Sequence, residues 1–296
     1  ALRWAALLRK SGHRVSVALQ WQGERCDALI ALHARRSHDS VQRYREAHPS
    51  APLVVALTGT DLYRDLPASR EARRSLELAD RVIVLQEAAL ASLDGAVRRK
   101  ARVVYQSAAP RRRHAPPRGR FRIVVVGHLR AEKDPLRAVA ALALLPPEAR
   151  VELIHLGAAL DPALGREAGR WMAREPRYRW LGAVSHPRAL GWLARSHLLV
   201  VSSVMEGGAN VIAEAARIGT PVLASRVAGN VGMLGRGYPG YFPLGDERAL
   251  AALMARAAGE RAFHARLKRT LRERRGLFAP SAERAALAGV LRELIG

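Results

Sequence analysis

One repeating pattern constrains this chain most: short apolar runs alternate with longer alanine- and leucine-rich stretches of helical periodicity. That is the rhythm of a parallel sheet, because each strand must return through a crossover helix before its parallel neighbour begins. The runs form two series. The first is Val15–Leu19, Ala28–Leu32, Leu53–Leu57, Arg81–Leu85 and Ala101–Tyr105, preceded by an amphipathic helix over residues 2–10. The second is Arg122–Val126, Val151–Leu156, Tyr178–Leu181, Leu198–Val201 and Pro221–Ala224, with closing helices over 247–258 and 281–295. Between them, the proline-rich basic stretch Ala109–Gly119 has no periodicity and reads as a linker, its Arg111–Arg113 run solvated. The expected fold class is α/β, two Rossmann-like doubly wound domains facing a central cleft. Their expected extents are 1–108 and 121–276, joined by a linker over 109–120 and closed by a helix over 277–296. The chain opens inside a helix without an initiator methionine, so the first strand of the N-terminal domain and its glycine turn are expected to be missing.

Composition excludes several classes. Hydrophobic residues at 49% give enough apolar surface for real cores, against a disordered chain. A single cysteine, Cys26, excludes a disulfide scaffold, and no apolar run reaches the roughly 18 residues of a membrane span. A reducing, cytoplasmic setting is expected. The net charge of +23 attracts anions of any kind, but the arginines are spread along the chain without interleaved aromatics, unlike a base-stacking surface.

In open α/β sheets, ligands sit beyond the carboxyl ends of the strands. In the second series those loops carry Gly127-His128-Leu129-Arg130-Ala131-Glu132-Lys133 and Glu206-Gly207-Gly208-Ala209-Asn210-Val211, the latter opening a helix that contains Glu214. Paired glycines before a helix N-terminus let backbone amides cradle a phosphate. A carboxylate in the helix, Glu214, suits the two hydroxyls of a ribose, and Lys133 suits a departing diphosphate. The alternative makes Glu214 a surface carboxylate and Gly207-Gly208 a turn. The ten histidines have no metal spacing, and His155 and His197, at the ends of apolar runs, read as packing residues.

Three stretches taken together resemble the family 4 glycosyltransferases of the GT-B fold: Glu206-x7-Glu214 followed by Gly219-Thr220-Pro221-Val222-Leu223-Ala224-Ser225; Gly127 with Glu132-Lys133; and Gly245-Asp246-Glu247-Arg248-Ala249-Leu250. The resemblance covers about residues 121–258. It implies nucleotide-sugar binding by the second domain, with Lys133 on the diphosphate, Glu214 on the ribose, and Glu206 with Gly207, Gly208, Ala209, Asn210 and Val211 on donor sugar and phosphates. It also implies that no metal or other cofactor is needed. The family arginine after the glycine is His128 here, and Arg130 is the nearby cation that could take over its charge. His128, Arg130, Lys133 and Glu206 are therefore the catalytic candidates, with Gly127 beside them.

Across essentially its whole length the chain is similar to a narrower group, the selenosugar synthases of bacterial selenoneine biosynthesis. The loops His33-Ala34-Arg35-Arg36-Ser37, Thr58-Gly59-Thr60-Asp61-Leu62-Tyr63, Gln86 and Tyr105-Gln106-Ser107 of the first series carry that similarity, with Gly127-His128-Leu129-Arg130-Ala131-Glu132-Lys133-Asp134-Pro135, Glu206-Gly207-Gly208-Ala209-Asn210-Val211 and Gly229-Asn230-Val231-Gly232 in the second. The group joins selenium from selenophosphate to the anomeric carbon of a UDP-sugar, typically UDP-N-acetylglucosamine. An anionic, polarisable selenium nucleophile needs no strong base, only cations and donors that hold a phosphate-like group. His33, Arg35 and Arg36 could form that clamp beside Thr58, Gly59 and Thr60, while Asp61 is equally readable as a helix cap. Two other readings remain: a family 4 enzyme with a sugar or lipid hydroxyl acceptor, and a basic nucleic-acid-binding α/β protein. Carboxylates at Glu206 and Glu214 would repel a phosphate backbone and speak against the last. The expected partners are a UDP-sugar and selenophosphate, with no nucleic acid and no membrane span.

Overall fold

The computed structural model describes residues 1–295. In chain order the elements begin with α1 (Leu2–Arg9), β1 (Leu29–Leu32), α2 (His38–Ala47) and β2 (Leu53–Ala56). A π-helical turn over Asp61–Asp65 runs into α3 (Leu66–Ala68) and α4 (Arg70–Leu78), then β3 (Arg81–Val84), α5 (Gly95–Arg99) and β4 (Ala101–Val103). There follow β5 (Phe121–Val126), α6 (Arg137–Ala143), β6 (Val151–Leu156), α7 (Pro162–Arg174), β7 (Tyr178–Trp180), α8 (His186–Ala194), β8 (Leu198–Val201) and α9 (Asn210–Ile218). The remainder is β9 (Val222–Ser225), α10 (Ala228–Leu234), β10 (Tyr241–Phe242), α11 (Glu247–Gly259), α12 (Arg261–Glu273) and α13 (Pro280–Ile295). Contacts group these into two units: Ala1–Ser107 with Glu206–Gly208 and the chain from Leu277 onward, and Ala108–Met205 with Ala209–Gly276. Among the described residues no helix is long and apolar enough to cross a membrane.

The first unit holds a wholly parallel sheet in the order β1-β2-β3-β4. Period-2 alternation splits its strands between two cores. Leu53, Val55, Val82 and Val84 point to the face covered by α2 and α4, where Val41, Tyr44, Ala72 and Leu76 are buried. Val54, Ala56 and Ile83 point to the opposite face, covered by Trp4, Leu7 and Leu8 of α1 and Leu287, Val290 and Leu291 of α13. The closing helix therefore packs on the first unit. The run Val15–Leu19, expected as a strand, is irregular, with Leu19 fully exposed. It joins no ladder, so β1, whose only partner among the described residues is β2, is left as an edge strand.

Glu283, in the first turn of α13, ties this second face together. Its side chain has no exposure. It accepts hydrogen bonds from Trp4 Nε1 at 2.7 Å, from Ser107 N at 2.9 Å, from Ser107 Oγ at 2.5 Å and from Arg3 Nε at 3.3 Å. One carboxylate thus joins α1, the segment after β4 and α13.

The second unit holds six parallel strands in the order β10-β9-β8-β5-β6-β7. Strand order reverses between β5 and β8, so their carboxyl-end loops diverge and leave a crevice. Gly219, at φ +89°, ends α9 in the left-handed conformation that glycine adopts without penalty, and Thr220-Pro221 leads into β9. The basic stretch after residue 108 is not a freely solvated linker. Arg113 is part-buried and donates to the carbonyls of Gly219 and Ser196 and to Thr220 Oγ1, which fixes the stretch to α9 and the end of α8. The carbonyls it reaches terminate helices and lack partners inside them.

Two predictions follow from this packing. Replacing Glu283 by Ala leaves the Trp4 indole and both Ser107 donors without an acceptor, so urea unfolding of the first unit should lose about 3 kcal/mol; a change below about 1 kcal/mol would contradict the tie. The second concerns two histidines that burial holds neutral, His155 and His197, each pushed down to about 4. For His197 the positive neighbours His264, Arg113 and Arg122 add to the effect of burial. Because the unfolded chain takes up these protons near pH 6.5, their stabilisation is complete above that pH and is lost as pH falls toward 4. The second unit's unfolding free energy should fall over that window, by about 3 kcal/mol from the buried His155 alone, lowering its urea midpoint, and His155→Gln should flatten the fall. A midpoint unchanged from pH 7 to pH 4 would contradict it.

Candidate active site

At the reversal, the loop after β5 starts at Gly127 and is held against the loop after β6. Leu129 forms a parallel bridge with Ala159, and Gly157 sits at φ +151°, where an added Cβ would lie 2.0 Å from the Gly127 carbonyl oxygen. Only glycine fits both the dihedral and that approach. His155 braces the same carbonyl. Its Nε2 donates to Gly127 O at 3.1 Å, so its Nδ1 accepts from the Tyr178 hydroxyl at 3.1 Å. The packing reading of His155 therefore understated it, since the ring sets the backbone from which the loop departs.

His128 projects outward and its Nδ1 accepts the Ala158 amide at 3.0 Å, which puts its proton on Nε2. It offers a neutral donor where the resemblance expects a guanidinium. Arg130, two residues on, is exposed; its carbonyl accepts the Lys133 amide at 3.0 Å, and its guanidinium makes no hydrogen bond or ion pair among the described residues. Lys133 closes a short 3-10 turn, and its stem runs past Gly127, its Cγ and Cδ 4.0 Å from where a Cβ on that glycine would be. The turn is bound to the β8 loop: Ser202 Oγ donates to the carbonyls of Lys133 and Asp134, and Val204 N donates to Glu132 O. Behind it, Ser225 Oγ donates to Ser203 O, and Asn230 Nδ2 donates to Ser225 O and Oγ. The carboxyl-end loops of β5, β8 and β9 thus form one bonded layer.

Helix α9 begins at Asn210 after Ala209, with no side chain capping its first amides and no carboxylate in its first turn. Those free N–H groups and the positive end of the helix dipole make an anion site. Glu214 lies in the second turn, and His186 Nε2, on the first residue of α8, donates to its Oε1 at 2.7 Å. Sequence reasoning missed His186. Its partner is 28 residues away, and no local pattern links the two.

In the first unit, His33 takes φ +78° at the end of β1 and is buried. Its ring lies between two carboxylates, Nδ1 3.7 Å from Asp61 and Nε2 3.6 Å from Asp65, with Thr60 Oγ1 3.4 Å from Nε2. Asp61 is fully buried and accepts from Thr58 N, Thr58 Oγ1 and Ala34 N, so it staples the β1 and β2 loops together. Burial raises its pKa against those hydrogen bonds. Arg35 pairs with Asp65 at 3.1 Å, whereas the Arg36 side chain has no partner among the described residues. Of the expected anion clamp, His33 and Arg35 therefore face carboxylates of their own chain, and Arg36 remains an uncompensated cation. Glu206, Gly207 and Gly208 group with this unit, where Gly207 packs on Gly59: a Cβ on Gly59 would lie 2.6 Å from Gly207 N. Glu206 itself is buried. No group of three or more His, Cys, Asp and Glu among the described residues is arranged to hold a metal ion.

Comparison with known proteins agrees with this layout. Residues 120–259, just under half of the chain, match the family model described as "Glycosyl transferases group 1". No curated protein sequence matches the chain. Among solved structures, HepE of Anabaena in complex with UDP aligns with a TM-score of 0.76 at 20% identity, over 90% of this chain and 79% of that one. Sucrose-phosphate synthase of Thermosynechococcus elongatus aligns with a TM-score of 0.75 at 21% identity, over 90% and 73%. A UDP-forming trehalose-phosphate synthase of Burkholderia xenovorans gives 0.72 at 16%, over 91% and 74%. The chain thus has the GT-B glycosyltransferase fold of two Rossmann-like domains, and its second unit carries the sequence pattern of the group 1 glycosyl transferases.

Proposed function

We propose that the chain is a UDP-sugar-dependent glycosyltransferase. One observation supports this reading: the loops after β5 and β8, which bear Lys133 and lead into the uncapped N-terminus of α9, flank the strand-order reversal within the stretch that matches the group 1 family model, and Glu214 lies one turn into that helix. The free amides of α9 and the Lys133 ammonium suit a diphosphate. Glu214 suits the ribose hydroxyls as their acceptor, and His186 aims its carboxylate. Glu206 with Gly207, Gly208, Ala209, Asn210 and Val211 would hold the donor sugar and its phosphates. As the bond from the anomeric carbon to the diphosphate oxygen breaks, its electron pair leaves on that oxygen, where Lys133, Arg130 and the helix end offset the charge without a metal. His128 would contribute a neutral hydrogen bond. The structure of HepE with UDP-glucose supports the choice of donor class.

For the acceptor we follow the narrower resemblance. Selenophosphate would attack through selenium, forming a carbon–selenium bond at the anomeric carbon as the bond to the diphosphate oxygen breaks and UDP departs; water then cleaves the phosphorus–selenium bond, releasing inorganic phosphate and giving a selenosugar for selenoneine biosynthesis. UDP-N-acetylglucosamine is the donor this implies, and the reducing cytoplasm suits an oxidation-prone selenium nucleophile. Arg36, with Thr58, Gly59 and Thr60, would receive the anion at the carboxyl ends of β1 and β2. A second reading, a sugar or lipid hydroxyl acceptor, is favoured by one observation: His33 lies between Asp61 and Asp65. An imidazole braced by carboxylates is the arrangement of a general base, which a hydroxyl needs and selenophosphate does not.

Mass spectrometry of a reaction of UDP-N-acetylglucosamine with fresh selenophosphate tests both levels. The expected product has a selenium isotope pattern on a hexosamine mass, and its rate should fall at least about 100-fold in Lys133→Ala and in Glu214→Gln. UDP release without a selenium product would overturn the acceptor reading and keep the transferase. Absence of UDP binding would overturn both. His33→Gln separates the two acceptors: it should leave selenium transfer within about tenfold, whereas loss of a general base typically costs 10²–10⁴-fold.

A further inference from the structure

The amino ends of β5 and β6 lie at the opposite edge of the second sheet from Gly127, about 20 Å away along the six residues of β5. There the second unit has an open basin of about 810 Å³. Four arginines line it, Arg118, Arg120, Arg150 and Arg261, and no carboxylate does. None of the four guanidiniums makes a hydrogen bond or ion pair among the described residues. Elsewhere in this chain arginines are commonly engaged, as Arg45, Arg102, Arg113 and Arg177 are. Of the carboxylates adjoining the lining in sequence, Glu152 pairs with Arg122 at 2.7 Å and Glu260 with Arg256 at 3.1 Å, while Glu148, exposed between Pro146 and Ala149, acts electrostatically on Arg177.

The floor of the basin is built rather than loose. Phe121 stacks on His197 with centroids 4.7 Å apart and ring planes 24° apart, and His264 meets Phe121 edge-on. His197 Nδ1 accepts the Arg122 amide at 2.9 Å, so its ring is fixed with the proton on Nε2. His264 Nε2 donates to His197 O at 3.0 Å. A fixed aromatic floor under several unpaired guanidiniums is a receptor for an anion with an apolar or flat body. Guanidinium forks match phosphate oxygens in pairs, and the volume is that of a small-molecule site. Without an anion the four cations repel one another in a shared concavity, and a multiply charged ligand removes that repulsion.

We propose that this basin binds a phosphorylated small molecule carrying more than one negative charge, at a site separate from the β5–β8 crevice. The proposal does not depend on the sugar-transfer reading, because it concerns other residues and another edge of the sheet. Calorimetric titration with inorganic tripolyphosphate tests it on the full chain. The parent protein should bind it, and Arg150→Gln/Arg261→Gln should weaken binding at least about tenfold with an unchanged thermal midpoint. Arg118→Gln/Arg120→Gln, an independent pair on a loop, should do the same, while Lys133→Ala should retain binding. Absence of binding by the parent, parental affinity in both double variants, or loss of binding in Lys133→Ala would overturn the site. Two further arms separate sources of the same charge. If phosphatidylglycerol vesicles or a short DNA duplex lose binding in the double variants while tripolyphosphate does not, the arginines serve an extended surface and the small-molecule site is wrong.

Discussion

A parallel sheet has to be covered on both faces, and in the first unit the second cover is made by two helices from opposite ends of the sequence. Trp4, Leu7 and Leu8 of α1 meet Leu287, Val290 and Leu291 of α13 over the strand residues Val54, Ala56 and Ile83. Each such side chain contributes about 1.5–3 kcal/mol by leaving water, but apolar contact is non-directional and does not set the register of one helix on another. Glu283 does, because its buried carboxylate has donors from both helices' surroundings and from Ser107. A buried charge is tolerated only when its lone pairs are filled, so the four hydrogen bonds on Glu283 make this docking specific as well as favourable.

The second unit meets the same requirement differently. Its sheet has six strands, its order reverses at β5–β8, and the reversal creates the crevice in which chemistry is possible. Rigidity there comes from polar staples behind the loops rather than from side chains facing the crevice: His155 on Gly127 O, Ser202 on Lys133 O, Ser225 on Ser203 O. These staples leave the groups suited to a ligand, the α9 amides, Arg130 and the outward Nε2 of His128, oriented by their own backbones. The excess of arginine has a structural use as well. Arg45, Arg113 and Arg177 each donate to backbone carbonyls that end helices or turns, so much of the positive charge is spent closing the fold. The four unpaired arginines of the amino-end basin stand out against that use.

The strands were legible because both faces of each sheet are buried, so nearly every strand residue is apolar and the runs stand out from the polar helices. Nine of the ten expected runs lie on observed strands with ends shifted by at most two residues. Val15–Leu19 failed because an apolar run becomes a strand only beside another strand, and that information is not local. β10 was missed because two residues, Tyr241 and Phe242, carry no pattern. At the candidate site, spacing put Lys133 on the loop after β5 and Glu214 inside the helix after the glycine pair, and both lie on those elements. The brace from His186 to Glu214, the carboxylates around His33 and the Arg113 staples were not, because each joins residues far apart in sequence. The docking of α13 on the first unit was hidden for the same reason: an amphipathic helix states that it has an apolar face but not which sheet will receive it.

The central claim is that the β5–β8 crevice is a nucleotide-sugar site, and a crystal structure of the chain with UDP tests it most directly. The ribose hydroxyls should lie on the Glu214 carboxylate, and the diphosphate against the first amides of α9 with the Lys133 ammonium beside it. A nucleotide bound elsewhere, or Glu214 still closed on His186 with no ribose contact, would contradict it.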